Sequence, residues 1–224
     1  MNFLYDGISL QNGRETNMDS LLLTEREISG TKAFLGVVCD GVGSMNDGAY
    51  AGVEAVRLLN EWFIYLSDIQ RIGLRLRDEI LLINSKITEA AKEQNFRTAT
   101  TLSALLSVNG YIYIVHAGDS RIYSADTGSL KLLTVDAVTE SGQLVTYIGN
   151  GNDIDLFYSE FQKFNGIYLL CSDGLYKRVK DDFIYKNVNT SNKKMIHKSL
   201  ISLANTAVKK GERDNISIAI IKIS

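Results

Sequence analysis

The chain has 224 residues, 45% hydrophobic and 22% charged, with a net charge of −2 and two cysteines. This is the balance of one globular domain, 1–224, with a sizeable core. Interspersed charges exclude the basic stripe of a nucleic-acid binder. No apolar run is long enough to span a bilayer, and MNFLYDGISLQNGRETN lacks the basic-then-apolar pattern of a signal peptide. A cytoplasmic monomer is expected, with Cys39 and Cys171 as buried small hydrophobes.

Phe3–Gln11 reads as a strand with a turn or bulge at Asp6-Gly7, and Asn12-Gly13 as a turn. Ser20–Thr24 and Ala33–Cys39 read as further strands, the second apolar throughout and therefore buried on both faces. From Gly48 the period changes to helical, with Ala51, Ala55, Leu58, Leu59 and Trp62 on one face and Asp47 at the start, where a carboxylate suits the dipole. A second helix carries Leu76, Ile80, Ile83, Ile87 and Ala91. Thr101–Val108 and Tyr111–His116 form a hairpin across Asn109-Gly110, a strong type I′ signal. Arg121–Ala125 and Leu130–Val135 pair across Asp126-Thr127-Gly128. Ile167–Ser172 is a strand, Met195–Val208 a helix and Asn215–Ile223 the last strand. The order argues against alternating βαβ units and for an α+β four-layer sandwich, two central antiparallel β-sheets flanked by α-helices.

Five acids sit where a packing role explains them poorly. Asp40 and Asp173 each end an apolar strand at an Asp-Gly pair, and Asp119 follows a third strand after Gly118. Asp19 and Asp214 each precede a strand. Asp-Gly pairs are ordinary turn residues, and Asp6, Asp126 and Asp153 are read that way. Carboxylates converging on one point repel unless divalent cations neutralise them, and an oxygen-only set suits Mg²⁺ or Mn²⁺ rather than zinc.

In order, the chain carries Arg14-x-x-Asn17-x-Asp19, Val38-Cys39-Asp40-Gly41-Val42-Gly43, Thr100-Thr101-Leu102, Ala117-Gly118-Asp119-Ser120-Arg121-Ile122-Tyr123, Ser172-Asp173-Gly174-Leu175 and Gly211-x-Arg213-Asp214-Asn215-Ile216. Each segment is weak alone. Together they resemble the metal-dependent serine/threonine protein phosphatases, the type 2C class, from about residue 3 to residue 223. The resemblance implies two Mn²⁺ or Mg²⁺ ions bridged by Asp40, with the Gly41 carbonyl on one and Asp173 and Asp214 completing the other. It implies contact from Asp19 through water, and a weaker third site at Asp119 and Asp173. A hydroxide bridging the ions would attack phosphoserine or phosphothreonine in proteins, with Arg14 gripping the phosphate. The implied partners are phosphorylated proteins and a cognate serine/threonine kinase. The rival readings are a non-catalytic regulatory module of the same fold, which retention of all five acids disfavours, and a hydrolase of another phosphoester.

Two departures stand out. Some family members carry a histidine two residues after the bridging acid, proposed as a general acid; here that residue is Val42. His116 is expected to be a hydrogen-bonded core residue. The connection VDAVTESGQLV is shorter than the flap of many bacterial members, which predicts a more open site and weak substrate discrimination by the isolated domain. Arg121 and Arg213 are expected to orient site carboxylates, and the Thr100 and Thr101 hydroxyls to bond backbone.

Overall fold

The computed structural model describes residues 1–45, 47–126, 128–149, 151, 153–188 and 192–224. Ten strands are β1 (Phe3–Leu10), β2 (Ser20–Ile28), β3 (Thr31–Cys39), β4 (Leu102–Val108), β5 (Tyr111–Ala117), β6 (Arg121–Asp126), β7 (Ser129–Leu132), β8 (Phe157–Gln162), β9 (Gly166–Cys171) and β10 (Ile216–Ile223). The helices are α1 (Gly48–Tyr65), α2 (Ile72–Glu93), α3 (Asp173–Tyr176), α4 (Asp181–Val188) and α5 (Lys193–Lys209). The strands make two antiparallel five-stranded sheets, ordered β1-β10-β9-β6-β7 and β2-β3-β4-β5-β8.

The continuous apolar strands explain the stacking. Along β3, Ala33, Leu35, Val37 and Cys39 face α1 and α2, while Phe34 and Val38 face the other sheet. Along β10, Ile216, Ile218 and Ile220 face the α3–α5 side, while Ala219, Ile221 and Ile223 face the sheet that holds β3. Period-2 alternation with both faces apolar forces cover on both sides. Three apolar clusters therefore fill the three interfaces of a four-layer stack, helices, sheet, sheet, helices. Phe34 centres the middle layer, its ring 4.8 Å from Tyr5 and 5.5 Å from Phe3.

Local signals are mostly honoured. The Asp47 carboxylate caps α1 by accepting from Tyr50 N at 3.1 Å. Asn109 and Gly110 adopt φ 50° and 77°, as a type I′ turn demands. Asn12 adopts φ 51° at the turn after β1.

Other expectations are corrected. Asp6-Gly7 is neither turn nor bulge: β1 pairs with β10 without interruption from Phe3↔Ile223 to Leu10↔Ile216. Gly7 gives room to the opposite sheet, since a Cβ there would meet Leu21 Cδ2 at 2.7 Å and Leu23 Cδ1 at 2.9 Å and push those side chains aside. Strand β2 runs on to Ile28, where its polar residues face solvent beside β3. Strand β7 stops at Leu132 because the chain then leaves the ladder, with Thr134 Oγ1 accepting from Ile122 N. The edge strand β8 and the short helices α3 and α4 were not anticipated; each is too short or too polar to show a clear period. Thr127, in the expected turn after β6, lies outside the described residues. No described helix is long and apolar enough to cross a membrane.

Candidate active site

The ends of β3, β9 and β10 and the turns after β1 and β5 meet at one edge of the stack. There Arg14, Asp40, Gly41, Asp119, Asp173 and Asp214 line a cavity of ≈ 210 Å³. Asp19 is 8% exposed and lies outside this lining.

Asp40 is fixed by its backbone. Its N–H donates to Thr101 Oγ1 at 2.9 Å, its carbonyl accepts from Thr101 N at 2.9 Å, and Thr101 Oγ1 pairs with Ser120 Oγ at 2.7 Å. Thr100 Oγ1 donates to the Thr101 carbonyl at 3.1 Å, so both threonine hydroxyls are engaged as expected. Gly41 has no room for a side chain: a Cβ would lie 2.4 Å from Gly48 O and 2.7 Å from Met18 O. The start of α1 and the turn before β2 thus close directly onto the end of β3.

Asp19 Oδ2 accepts from Ser172 Oγ at 2.8 Å, which links the start of β2 to the end of β9. Its other oxygen, Oδ1, is buried without a hydrogen-bond partner. Arg14 and Asp214, 200 residues apart, form a bidentate pair, Nε to Oδ1 at 2.8 Å and Nη2 to Oδ2 at 2.6 Å. An asparagine clasp brings them together. Asn215 donates to the carbonyls of Gln11 and Thr16 at 2.8 and 3.0 Å and accepts from Met18 N at 2.9 Å. Asn12 Nδ2 donates to the carbonyls of Glu212 and Asp214, each at 2.9 Å. Glu212 accepts from the N–H groups of Arg213 and Asp214 at 2.8 and 2.9 Å.

The electrostatics are those of crowded carboxylates. Burial, then the neighbouring acids Asp19, Asp173, Asp119 and Asp214, push Asp40 well above the usual carboxylate range. Burial pushes Asp19 up to about 6 against its Ser172 hydrogen bond, with Asp173 and Asp214 adding to the rise. Asp119 is raised by burial and by Asp173. Asp214 is shifted the other way. Burial works to raise it, but the Arg14 hydrogen bond and charge hold it below its ordinary value.

Crowded, partly desolvated carboxylates and an unpartnered buried oxygen on Asp19 suit hard divalent cations. Among the described residues, however, no group of three or more His, Cys, Asp or Glu side chains is already arranged to hold a metal ion. Two of the acids are held in ion pairs, Asp214 with Arg14 and Asp173 with Lys177. The donor chemistry fits such ions, provided those two acids exchange their cationic partners.

Several site residues escaped the sequence reading. Lys177 lines the cavity and pairs with Asp173 one helical turn earlier, an i,i+4 spacing that was readable in Asp173-Gly174-Leu175-Tyr176-Lys177. Tyr176 donates its hydroxyl to the Asp119 carbonyl at 3.0 Å. The Arg121 guanidinium stacks over the Tyr176 ring at 3.7 Å and grips Asp136, not one of the five acids, at 2.6 to 3.2 Å. Its orienting role therefore falls on Asp136 and Tyr176. The short connection after β7 does reach the site, since Gly142 and Leu144 line the cavity and Val138 bridges Leu144. His116 is 1% exposed, bonded to Ser103 Oγ at 2.9 Å and the Val135 carbonyl at 3.1 Å, and burial lowers it to about 4. It is a neutral core residue at neutral pH.

Comparison with known proteins decides the family. The model of the protein phosphatase 2C family matches residues 13–209. The chain belongs to the protein phosphatase 2C family. This family member is 28% identical over 214 residues to the serine/threonine phosphatase stp of Listeria welshimeri, covering 83% of each chain. It is 25% identical over 219 residues to a putative protein phosphatase of Mycoplasma genitalium, covering 84% of each. Its fold matches a bacterial serine phosphatase crystal structure with a TM-score of 0.89 at 20% identity, covering 100% of this chain and 98% of that one. It also matches the catalytic domain of PstP, a serine/threonine protein phosphatase solved with two manganese ions. That TM-score is 0.82 at 23% identity, covering 99% and 98%.

Proposed function

We propose that this family member, acting as one cytoplasmic catalytic domain, hydrolyses phosphoserine and phosphothreonine on proteins, including targets of a cognate serine/threonine kinase. The observation that carries the reading is the placing of Asp40, Asp119, Asp173, Asp214 and Arg14 around one cavity, with Asp19 electrostatically coupled to Asp40. Asp40, the Gly41 carbonyl, Asp173 and Asp214 would hold two Mn²⁺ or Mg²⁺ ions, with Asp19 beside them and Asp119 with Asp173 at a weaker third position. When bound, the ions supply an activated water at neutral pH and offset charge on the phosphoryl oxygens.

The chain's own groups do the rest. Arg14 has a planar fork now matched to Asp214, and the same fork matches two phosphoryl oxygens. Gly41 and Gly43 line the cavity with no side chains of their own, which leaves room for a phosphate beside the acids. Val42 has no proton to give and His116 is walled off in the core, so neither protonates the departing serine or threonine oxygen. Cys39 and Cys171 are fully buried with their thiols pushed up by burial, which removes both as nucleophiles.

The deciding experiment is hydrolysis of an aryl phosphate and a phosphothreonine peptide with Mn²⁺ and with chelator. Metal-dependent release of phosphate from both is expected. Full activity in chelator would overturn the reading.

A further inference from the structure

We propose that Lys177 is a second phosphate-binding cation of this site, held against Asp173 until divalent cations take that carboxylate, so that metal uptake and phosphate binding are coupled through one ammonium group. The proposal rests on the two-metal reading above. It concerns a residue that no sequence motif of the site contains.

Lys177 follows directly on α3, and its Nζ donates to Asp173 Oδ2. An i,i+4 pair on a solvated helix face contributes little and means little. This one differs in its acidic end. The Asp173 side chain is 15% exposed and lines the cavity with Asp40, Asp119 and Asp214, whereas the Lys177 side chain is 56% exposed. The ammonium is thus a counter-ion reaching inward from the rim on a flexible stem. Its charge also acts on Asp119 and Asp214.

Arg14 stands in the same relation to Asp214. Each cation therefore holds one of the two acids that divalent ions need, and the two pairs border the same cavity. A phosphate dianion entering among four carboxylates needs positive partners. Once Asp173 is engaged by a divalent ion, the ammonium loses its main attraction and gains repulsion from that ion. A phosphoryl oxygen at the cavity mouth is then its natural acceptor, and a four-carbon stem with three rotatable donors can make the move.

The two roles predict opposite effects of one substitution. In Lys177→Gln, Mn²⁺ titrated calorimetrically into the whole chain should bind about threefold or more tightly, because a competing cation is gone. Inorganic phosphate, titrated as an inhibitor of the Mn²⁺-loaded protein, should bind about fivefold or more weakly in Lys177→Gln. Lys177→Arg should restore phosphate binding. A merely structural lysine would not shift the two affinities in opposite directions. Unchanged or weaker Mn²⁺ affinity in Lys177→Gln, or unchanged phosphate affinity, overturns the coupling while leaving the two-metal reading intact. Failure of the unsubstituted chain to bind Mn²⁺ overturns both.

Discussion

Asp40 shows what a single residue in this site must tolerate. Removing its charge should help the fold and ruin the chemistry. Asp40→Asn is expected to raise the melting temperature of the chelated protein, because a partly buried carboxylate facing four others is gone. The same substitution should lower Mn²⁺-dependent turnover about 10²-fold or more, since it removes the central ligand. Asp19, Asp40 and Asp119 are all raised and so all make the chelated protein less stable as pH rises; Asp19 gives the scale. Its folded value of about 6 lies above the ordinary 3.8, so the unfolded chain releases this proton first as pH rises. The chelated protein should therefore lose on the order of 2–3 kcal/mol from this group between about pH 4 and pH 6, measured by urea unfolding. Saturating Mn²⁺ should reverse the loss. In Arg14→Ala the Michaelis constant for the phosphopeptide should rise while Mn²⁺ affinity holds or increases, because Asp214 loses its competing partner. The five acids were legible as residues in odd places. Their present partners were not, because an ion pair such as Arg14–Asp214 joins positions 200 apart.

Loops and turns decide whether those residues meet. Asn215 is 5% exposed, and its side chain ties the turn before β10 to the segment 11–18 through three hydrogen bonds. Asn215→Ala strands buried donors and acceptors, and should cost about 2–4 kcal/mol in denaturant unfolding while loosening Arg14 from Asp214. Gly41→Ala drives a Cβ into the backbone oxygens of Gly48 and Met18, so β3 and α1 must separate. Long strands and helices such as β3, β10, α1 and α5 were readable because their period runs for eight residues or more. Strand β8 and helices α3 and α4 were not, being short and half polar. Asp6-Gly7 misled for a related reason. The pair is a common turn signal, and only the opposite sheet, with Leu21 and Leu23 against Gly7, shows why glycine stands inside a strand.

At the scale of the molecule, the stack holds the site by bringing strand ends from both sheets to one edge. Phe34, wholly buried where the sheets meet, tests that coupling. Phe34→Ala should cost about 3–5 kcal/mol of stability. A larger effect on Mn²⁺ affinity than that of an equally destabilising change in the outer core, such as Leu203→Ala, would tie sheet-on-sheet registry to the acid cluster.

The amino-acid sequence by itself determined the layered α+β architecture, because strands apolar on both faces must be covered on both. It also determined which acids stand at strand ends. Tertiary structure alone decided which charges neutralise them. Arg14 on Asp214 and Lys177 on Asp173 depend on how loops from both sheets converge, and on side-chain reach across that edge. It also decided that the short connection after β7 borders the cavity through Gly142 and Leu144. Local periodicity carries no information about where a loop comes to rest, since that is set by the backbone hydrogen bonds and packing of the elements it joins.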